Sequence, residues 1–380
     1  MGGKTVKKRK AYDKRQNVSL DGRIQEIPCI DKTESDMKNK KGLRVALVGT
    51  DTFRGKEIKD VLDERVFPFE KIEFFDSDVK EEFSKLTEFR GEPRVILPLD
   101  QSVTMDSDVV FLAADKSTSL EYGKLAVKGD FLIIDLSGAF NGERNVPLVV
   151  AGVNHGILQK KRPLLIANPH SVTIILSHLF HVLLQKYELM KAVAFVLQPV
   201  SAFDDSGIRE LANQSFAVLR GTAVSRNIFK TQIAFNLLSH TEAVDENGFL
   251  SSEKQIISEV TRVFDTKDFP LSLSIIQAPV FHTYSIMTHL ELKEKPAIST
   301  IKRLFEKSSY FRVSPPSDFC PVSSVSVAGK DEIFIGQIKK EESHPNRFWI
   351  WTVTDNLTRG SALNAFEILE NSQLILSPKK

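Results

Sequence analysis

The sequence predicts an α/β protein: a doubly wound parallel sheet followed by an α+β region with a large mixed sheet. Three observations carry this. Short apolar runs such as "LRVALVG" and "SDVVFLAAD" suit strands covered on both faces. Over residues 43–170 such runs alternate with amphipathic helical stretches, the pattern of parallel strands joined by crossover helices. Beyond residue 171 the texture shifts to long β-rich segments with partial alternation, which fits a mixed or antiparallel sheet with helices on one face.

The elements follow in order. "LRVALVG" (43–49) is the first strand, and "GKEIKDVLDE" (55–64) the helix after it. "KIEFFDS" (71–77) and "SDVVFLAAD" (107–115) are the next two strands. "SLEYGKLAVKG" (119–129) reads as a helix with Gly129 as its C-cap. "DFLIIDLS" (130–137) and "RPLLIANP" (162–169) complete the parallel set. The later segments are "AVAFVLQPVSAF", "SLSIIQAPVFHTYSIMTHLEL", "DEIFIGQIKK" and "RFWIWTVTD", and then a closing helix, "GSALNAFEILENS". No internal repeat is visible.

Composition bounds the function. The chain has 380 residues, 42% hydrophobic and 26% charged, which suits two or three domains with an ample core. No apolar run approaches the ~18 residues of a membrane span, so no membrane association is expected. Two cysteines, Cys29 and Cys320, argue against a disulfide scaffold and for a reducing, cytoplasmic setting. Neither has metal-ligand spacing, and no metal site is expected. A net charge of +2 is too weak to imply nucleic-acid binding. The exception is "KKRKAYDKR" (7–15), in a polar stretch read as an unstructured basic tail over residues 1–42. Such a tail can touch RNA, anionic lipid or an acidic partner; its plainer reading is a solvated segment.

The stretch "LLIANPHSVTIILSHLF" (164–180) raises the question of chemistry. A strand runs through Asn168-Pro169-His170 into a helix, and Ser171 stands at the helix start. Free N–H groups there stabilise a developing anion, yet no base is evident beside Ser171. The competing reading makes Ser171 the helix cap.

Five segments in order, "VPLVVAGVN" (146–154), "IANP" (166–169), "IAFNLLSH" (233–240), "GKDEIFIGQI" (329–338) and "TDNLTRGSALNA" (354–365), resemble the aspartate-semialdehyde dehydrogenase family. The resemblance runs from about residue 43 to 372. It implies a Rossmann-type dinucleotide domain (43–170), a dimerisation and catalytic domain (171–356) and a C-terminal helix (357–380) that returns to the first. It also implies NADPH-dependent reduction of aspartyl phosphate through a cysteine thioester.

The positions that should carry that chemistry are changed. Ser171 takes the cysteine position, and a hydroxyl needs an adjacent base that a thiolate does not. Tyr284 takes the histidine position, and a phenol is a poor base at neutral pH. Gln277 replaces the carboxylate-binding arginine and lacks its charged fork. Asn141 replaces the phosphate-binding arginine, and Gln255, with Lys254 adjacent, replaces a lysine. Gln198 matches the glutamine that orients the nucleophile. His282, two residues before Tyr284, would share its face on a regular strand and is either a displaced base or a structural histidine.

The cofactor turn is altered too. Gly49 and Gly55 keep the outer positions of its glycine pattern, while Thr52 replaces the middle glycine that lets pyrophosphate approach. Asp51 adds a negative charge that Arg54 partly offsets. Asp76, with Asp78 beyond it, ends the second strand where it would hold a ribose 2′-OH and repel a 2′-phosphate, so a retained cofactor would be NAD rather than NADP. Either aspartate read plainly only ends the strand in solvent. These readings add up to a catalytically inactive homologue with a structural, regulatory or interaction role. It would form a homodimer and could pair with an active paralogue. The alternative is an NAD(P)-dependent oxidoreductase of altered chemistry, using Ser171 or His282.

Overall fold

The computed structural model describes residues 17–18, 24–25, 42–65, 67, 69–81, 84–99, 106–124, 131–160, 164–315 and 321–372. Met1–Lys41 and Gly42–Lys380 are separate units. In the first, β1 (Asn17–Val18) pairs antiparallel with β2 (Ile24–Gln25). The rest of the expected tail, Cys29, Cys320 and the Gly129 cap lie outside the described residues.

The second unit begins with β3 (Leu43–Val48) and α1 (Phe53–Glu64), then β4 (Phe69–Asp76), the hairpin β5 (Lys85–Phe89) and β6 (Glu92–Pro98), and β7 (Val109–Leu112). Next come α2 (Lys116–Gly123), β8 (Leu132–Asp135), the single turn α3 (Ile157–Lys160) and β9 (Leu165–Ala167). Their sheet has seven strands in the order β5-β6-β4-β3-β7-β8-β9, parallel throughout except for β5 at the edge. Both faces are packed. Val45 and Leu47 point into one apolar cluster with Ile58 of α1, and Ala46 and Val48 into another with Tyr122 of α2. The strand reversal beside β3 puts the turn after β3 at the crevice where such sheets take ligands.

The β5–β6 hairpin is absent from the sequence reading. Its turn is Arg90-Gly91, with φ of 55° and 72°. Both central residues are left-handed, as a two-residue turn of the favoured hand requires. Arginine at the first of them hides the usual Asn-Gly signal.

The second sheet is built after α4 (Ser171–Leu184). Its elements are β10 (Leu189–Gln198), α5 (Asp204–Arg220), α6 (Ser251–Val263), β11 (Leu271–Gln277) and β12 (Tyr284–Leu292). They are followed by α7 (Ile298–Lys307), β13 (Phe311–Val313), the short α8 (Ser324–Val327), β14 (Ile333–Lys340) and β15 (Arg347–Thr354). Six strands run β11-β10-β12-β15-β14-β13, parallel at the two outer pairs and antiparallel between. One face is covered by α4, α6 and α7, through Val172, Leu176, Ile256 and Phe305 against Ala194, Ile286 and Ile350. The other face carries Phe195, Met287, Trp349 and Trp351, with Phe195 42% exposed. The chain then returns: α9 (Leu363–Glu370) adds Leu363, Phe366 and Leu369 to the core of the first sheet.

Candidate active site and its comparison with known proteins

Ser171 is the first residue of α4, but it does not cap the helix. The cap is His170, whose Nδ1 accepts the Val172 N–H at 3.1 Å. The reading of Ser171 as cap is therefore corrected. Its Oγ instead donates to the Asn356 carbonyl at 3.1 Å. Because His170 Nδ1 is an acceptor, the neutral ring carries its proton on Nε2. Burial pushes the His170 pKa down, against the pull of Glu259. His170 is thus no base for Ser171.

Three predicted positions come together in a second group. The Tyr284 hydroxyl donates to Gln198 Oε1 at 3.3 Å, and Gln198 Nε2 donates to Gln277 Oε1 at 3.0 Å. Gln277 Nε2 returns to the carbonyls of Gln198 and Ala278, at 2.9 and 3.1 Å. All three side chains are buried, and burial drives the Tyr284 phenol further above its ordinary range. The group is uncharged and satisfied by its own members, so it neither takes a proton nor clamps an anion. The ring of His170 meets that of Tyr284 edge-on at 6.0 Å.

Asn141 lies apart from that network. Its Nδ2 donates to Glu259 Oε1 at 2.8 Å. Glu259, on α6 and 2% exposed, also accepts from Gln255 Nε2, the His170 N–H and the Thr173 hydroxyl. Gln255 therefore faces inward, while Lys254 points out to Asp245. Where two cations were expected, two amides surround a carboxylate. The sequence reading missed both Glu259 and His170. Spacing held a partial signal, since Gln255 and Glu259 are one helical turn apart.

His282 does not share a strand face with Tyr284, as expected for a regular strand. Strand β12 starts at Tyr284, and Thr283 has φ of 74°, so the chain turns between the two residues. The geometry brings no partner to His282 among the described residues.

The turn after β3 keeps its two outer glycines for steric reasons. A Cβ on Gly49, where φ is 87°, would sit 2.4 Å from the Ala114 nitrogen, and one on Gly55 would sit 1.9 Å from the Gly49 carbonyl oxygen. Thr52 caps α1: its hydroxyl accepts the Gly55 N–H at 2.9 Å and reaches the carbonyls of Gly49 and Ala113. Asp76 accepts the Asp51 N–H at 2.9 Å and is 7% exposed rather than solvated; burial raises its pKa. Asp51 and Asp78 both pair with Lys85 of β5. The expectation that Arg54 offsets Asp51 is thus corrected, since that role falls to Lys85. Two donors of the turn are already taken and three carboxylates stand beside it. These residues do not fit a pyrophosphate, which needs free N–H groups at the helix start. Among the described residues no group of three His, Cys, Asp or Glu is placed to hold a metal ion, and no helix is long and apolar enough to cross a membrane.

A doubly wound sheet with a glycine turn, joined through a strand–Asn-Pro–helix junction to a mixed sheet open on one face, defines a two-domain dehydrogenase fold. Comparison with known proteins agrees. Residues 44–160 match the semialdehyde dehydrogenase NAD binding domain, and residues 181–359 the semialdehyde dehydrogenase dimerisation domain. The chain belongs to the semialdehyde dehydrogenase family that these two domains define. It is similar to the aspartate-semialdehyde dehydrogenase of Aquifex aeolicus, 28% identical over 334 residues covering 87% of this chain and 97% of that protein. That of Synechocystis is 27% identical over 330 residues, covering 86% and 96%. The crystal structure of aspartate semialdehyde dehydrogenase II from Vibrio cholerae superposes with a TM-score of 0.83 at 24% identity, covering 89% of this chain and all of that one, a likeness of fold.

Proposed function

We propose that this chain is a non-catalytic member of its family, retained as a structural, regulatory or interaction protein. The observation that carries the reading is Ser171. Its hydroxyl is donated to the Asn356 carbonyl, and the adjoining His170 and the Tyr284–Gln198–Gln277 network that its ring meets are neutral. A serine without a base is a weak nucleophile. Glu259 beside Asn141 adds support, because the two amides are spent on a buried carboxylate and the neighbouring Arg262 is held by the carbonyls of Asn141, Glu143 and Val146, which disfavours a phosphate. The test is phosphate-dependent oxidation of aspartate semialdehyde with NADP and with NAD. No turnover is expected. Rates within about a hundredfold of the ordinary 1–10³ per second would overturn the reading in favour of an enzyme of altered chemistry.

Function then rests on association. The open face of the six-stranded sheet, with its two tryptophans, is the surface a second copy would cover, and an isologous pair is the common solution. The match to a dimerisation domain supports this. An active relative carrying the same sheet is the further partner proposed; strictly separate homodimers on co-purification would remove it.

A further inference from the structure

The edge of the six-stranded sheet is open at one point. Strand β11 gives alternate backbone groups to β10: the Pro270 carbonyl accepts the Ala192 N–H at 2.7 Å, and the Ala278 N–H donates to the Gln198 carbonyl at 2.9 Å. Alternation turns the groups of Leu271, Leu273, Ile275 and Gln277 to the outer side. Three of these residues find partners there. Gln277 exchanges both bonds with Leu238, the Ile275 N–H donates to Glu253 Oε1 at 2.8 Å, and the Leu271 N–H donates to the Phe269 carbonyl at 2.7 Å. The N–H and carbonyl of Leu273 have no partner among the described residues.

Leu273 lines a cavity of about 360 Å³ together with Ser239, His240, Val244, Phe249 and Leu250. Its size falls among ligand pockets, at ~300–1,000 Å³. The chain itself opens it. Leu238 lies antiparallel beside Gln277, and the residues after it leave the strand for a turn bridged by Val244 and Leu250. The rim is acidic. Glu242 accepts only from the Ser251 and Ser252 hydroxyls and the Ser252 N–H, and Glu253 only from the N–H groups of Leu250 and Ile275. Glu246 is exposed in the turn. None of these three has a cationic partner among the described residues, whereas Asp245 is paired with Lys254. Residues 271–277 contain no proline and no charge, the usual devices that keep an added strand away from an edge.

We propose that this slot binds an extended peptide of alternating basic and apolar residues, added antiparallel to β11 at Leu273. The peptide residue opposite Leu273 exchanges two backbone bonds with it, as Leu238 does with Gln277. Directly opposed residues share a face, so that residue puts an apolar side chain among the cavity's apolar walls. The residues on either side of it turn the other way and carry the positive charge that three carboxylates without cations favour. The slot is separate from the Ser171 group, since no side chain lining it bonds to a side chain of that group.

The test is calorimetric titration of the peptide acetyl-Lys-Val-Lys-Val-Lys-amide into the 380-residue chain at ~50 mM salt. Two further peptides are run beside it, one with glutamate for each lysine and one methylated on both valine nitrogens. The basic peptide is expected to bind at least tenfold more tightly than the acidic one. Methylation removes the bond to the Leu273 carbonyl and is expected to weaken binding at least fivefold. Val244→Lys, at a side chain 51% exposed, puts a cation in the slot and is expected to cost a similar factor with an unchanged melting temperature. Absence of binding by the basic peptide, as when a second copy covers the slot, would overturn the proposal. So would equal binding of the acidic or the methylated peptide, or full binding by folded Val244→Lys. The methylated peptide needs no altered protein, so the proposal can fail even where the variant does not fold.

Discussion

Ser171, Tyr284 and Gln277 each stand at a position where another residue type would be reactive, and each is held by neutral neighbours. Restoring one group is therefore not enough. Ser171→Cys is expected to leave aspartate-semialdehyde oxidation undetectable, measured as NADPH formation, because base and clamps are still missing. Gln277→Arg places a cation in a position 1% exposed whose neighbours are amides, a phenol and carbonyls. A buried charge without a counter-ion is costly, and a loss of about 2–4 kcal/mol is expected in urea unfolding. These positions were legible in the sequence because they sit in short motifs whose neighbours are intact. Glu259 was not, since its bond to Asn141 joins residues 118 apart. The tautomer of His170 was equally hidden, because it follows from the single backbone N–H that the ring accepts.

At the scale of elements, α4 carries a second histidine with a measurable consequence. His178 is 1% exposed, stacked on Tyr310 at 4.1 Å, and its Nε2 has no hydrogen-bond partner among the described residues. Burial, then the positive Arg359, then His181 hold its pKa well below the ordinary histidine value. The unfolded chain therefore takes up this proton first as pH falls. Stability from a neutral His178 is present above about pH 6.5 and is lost below it, at about 1.4 kcal/mol per pH unit. His178→Phe keeps the ring stack and removes the titration. Its unfolding free energy should fall less steeply between pH 6.5 and 5 by that amount. The helix itself was plain from its apolar run, and so were the buried parallel strands. The β5–β6 hairpin was not, because β5 is a short, partly charged edge strand and its turn carries Arg90 in place of the usual Asn.

Viewed whole, the molecule has two sheets with opposite needs. The first is covered on both faces, while the second leaves Phe195, Met287, Trp349 and Trp351 on one face. Trp351→Glu, placing a charge in the middle of that face, is expected to halve the mass measured by light scattering at micromolar concentration without lowering the helix content. A mass unchanged from that of the unaltered chain would move the interface elsewhere. The division into a parallel and a mixed sheet could be read from the change in texture near residue 171. The strand order of the second sheet could not, since it is decided by pairings such as Ala192 with Leu271 that no local pattern encodes.

The return of the chain to its first sheet bears on how the protein is made. Leu363, Phe366 and Leu369 complete a core begun by Val45 and Leu47, and Thr358 bonds Glu57, 301 residues earlier. Asn364 ties the same segment to the Ala151 N–H and to Asn168. At ~5–20 residues per second, the ribosome keeps the first sheet, finished at Ala167, waiting about 10–40 s for its last packing partners. Through that interval its apolar surface is open to chaperones and to other nascent chains. A chain ended at Asn356 is expected in the insoluble fraction on expression, and the 380-residue chain in the soluble fraction. A ribosome that stops early thus releases a product marked for removal by its own open core, and only finished copies persist.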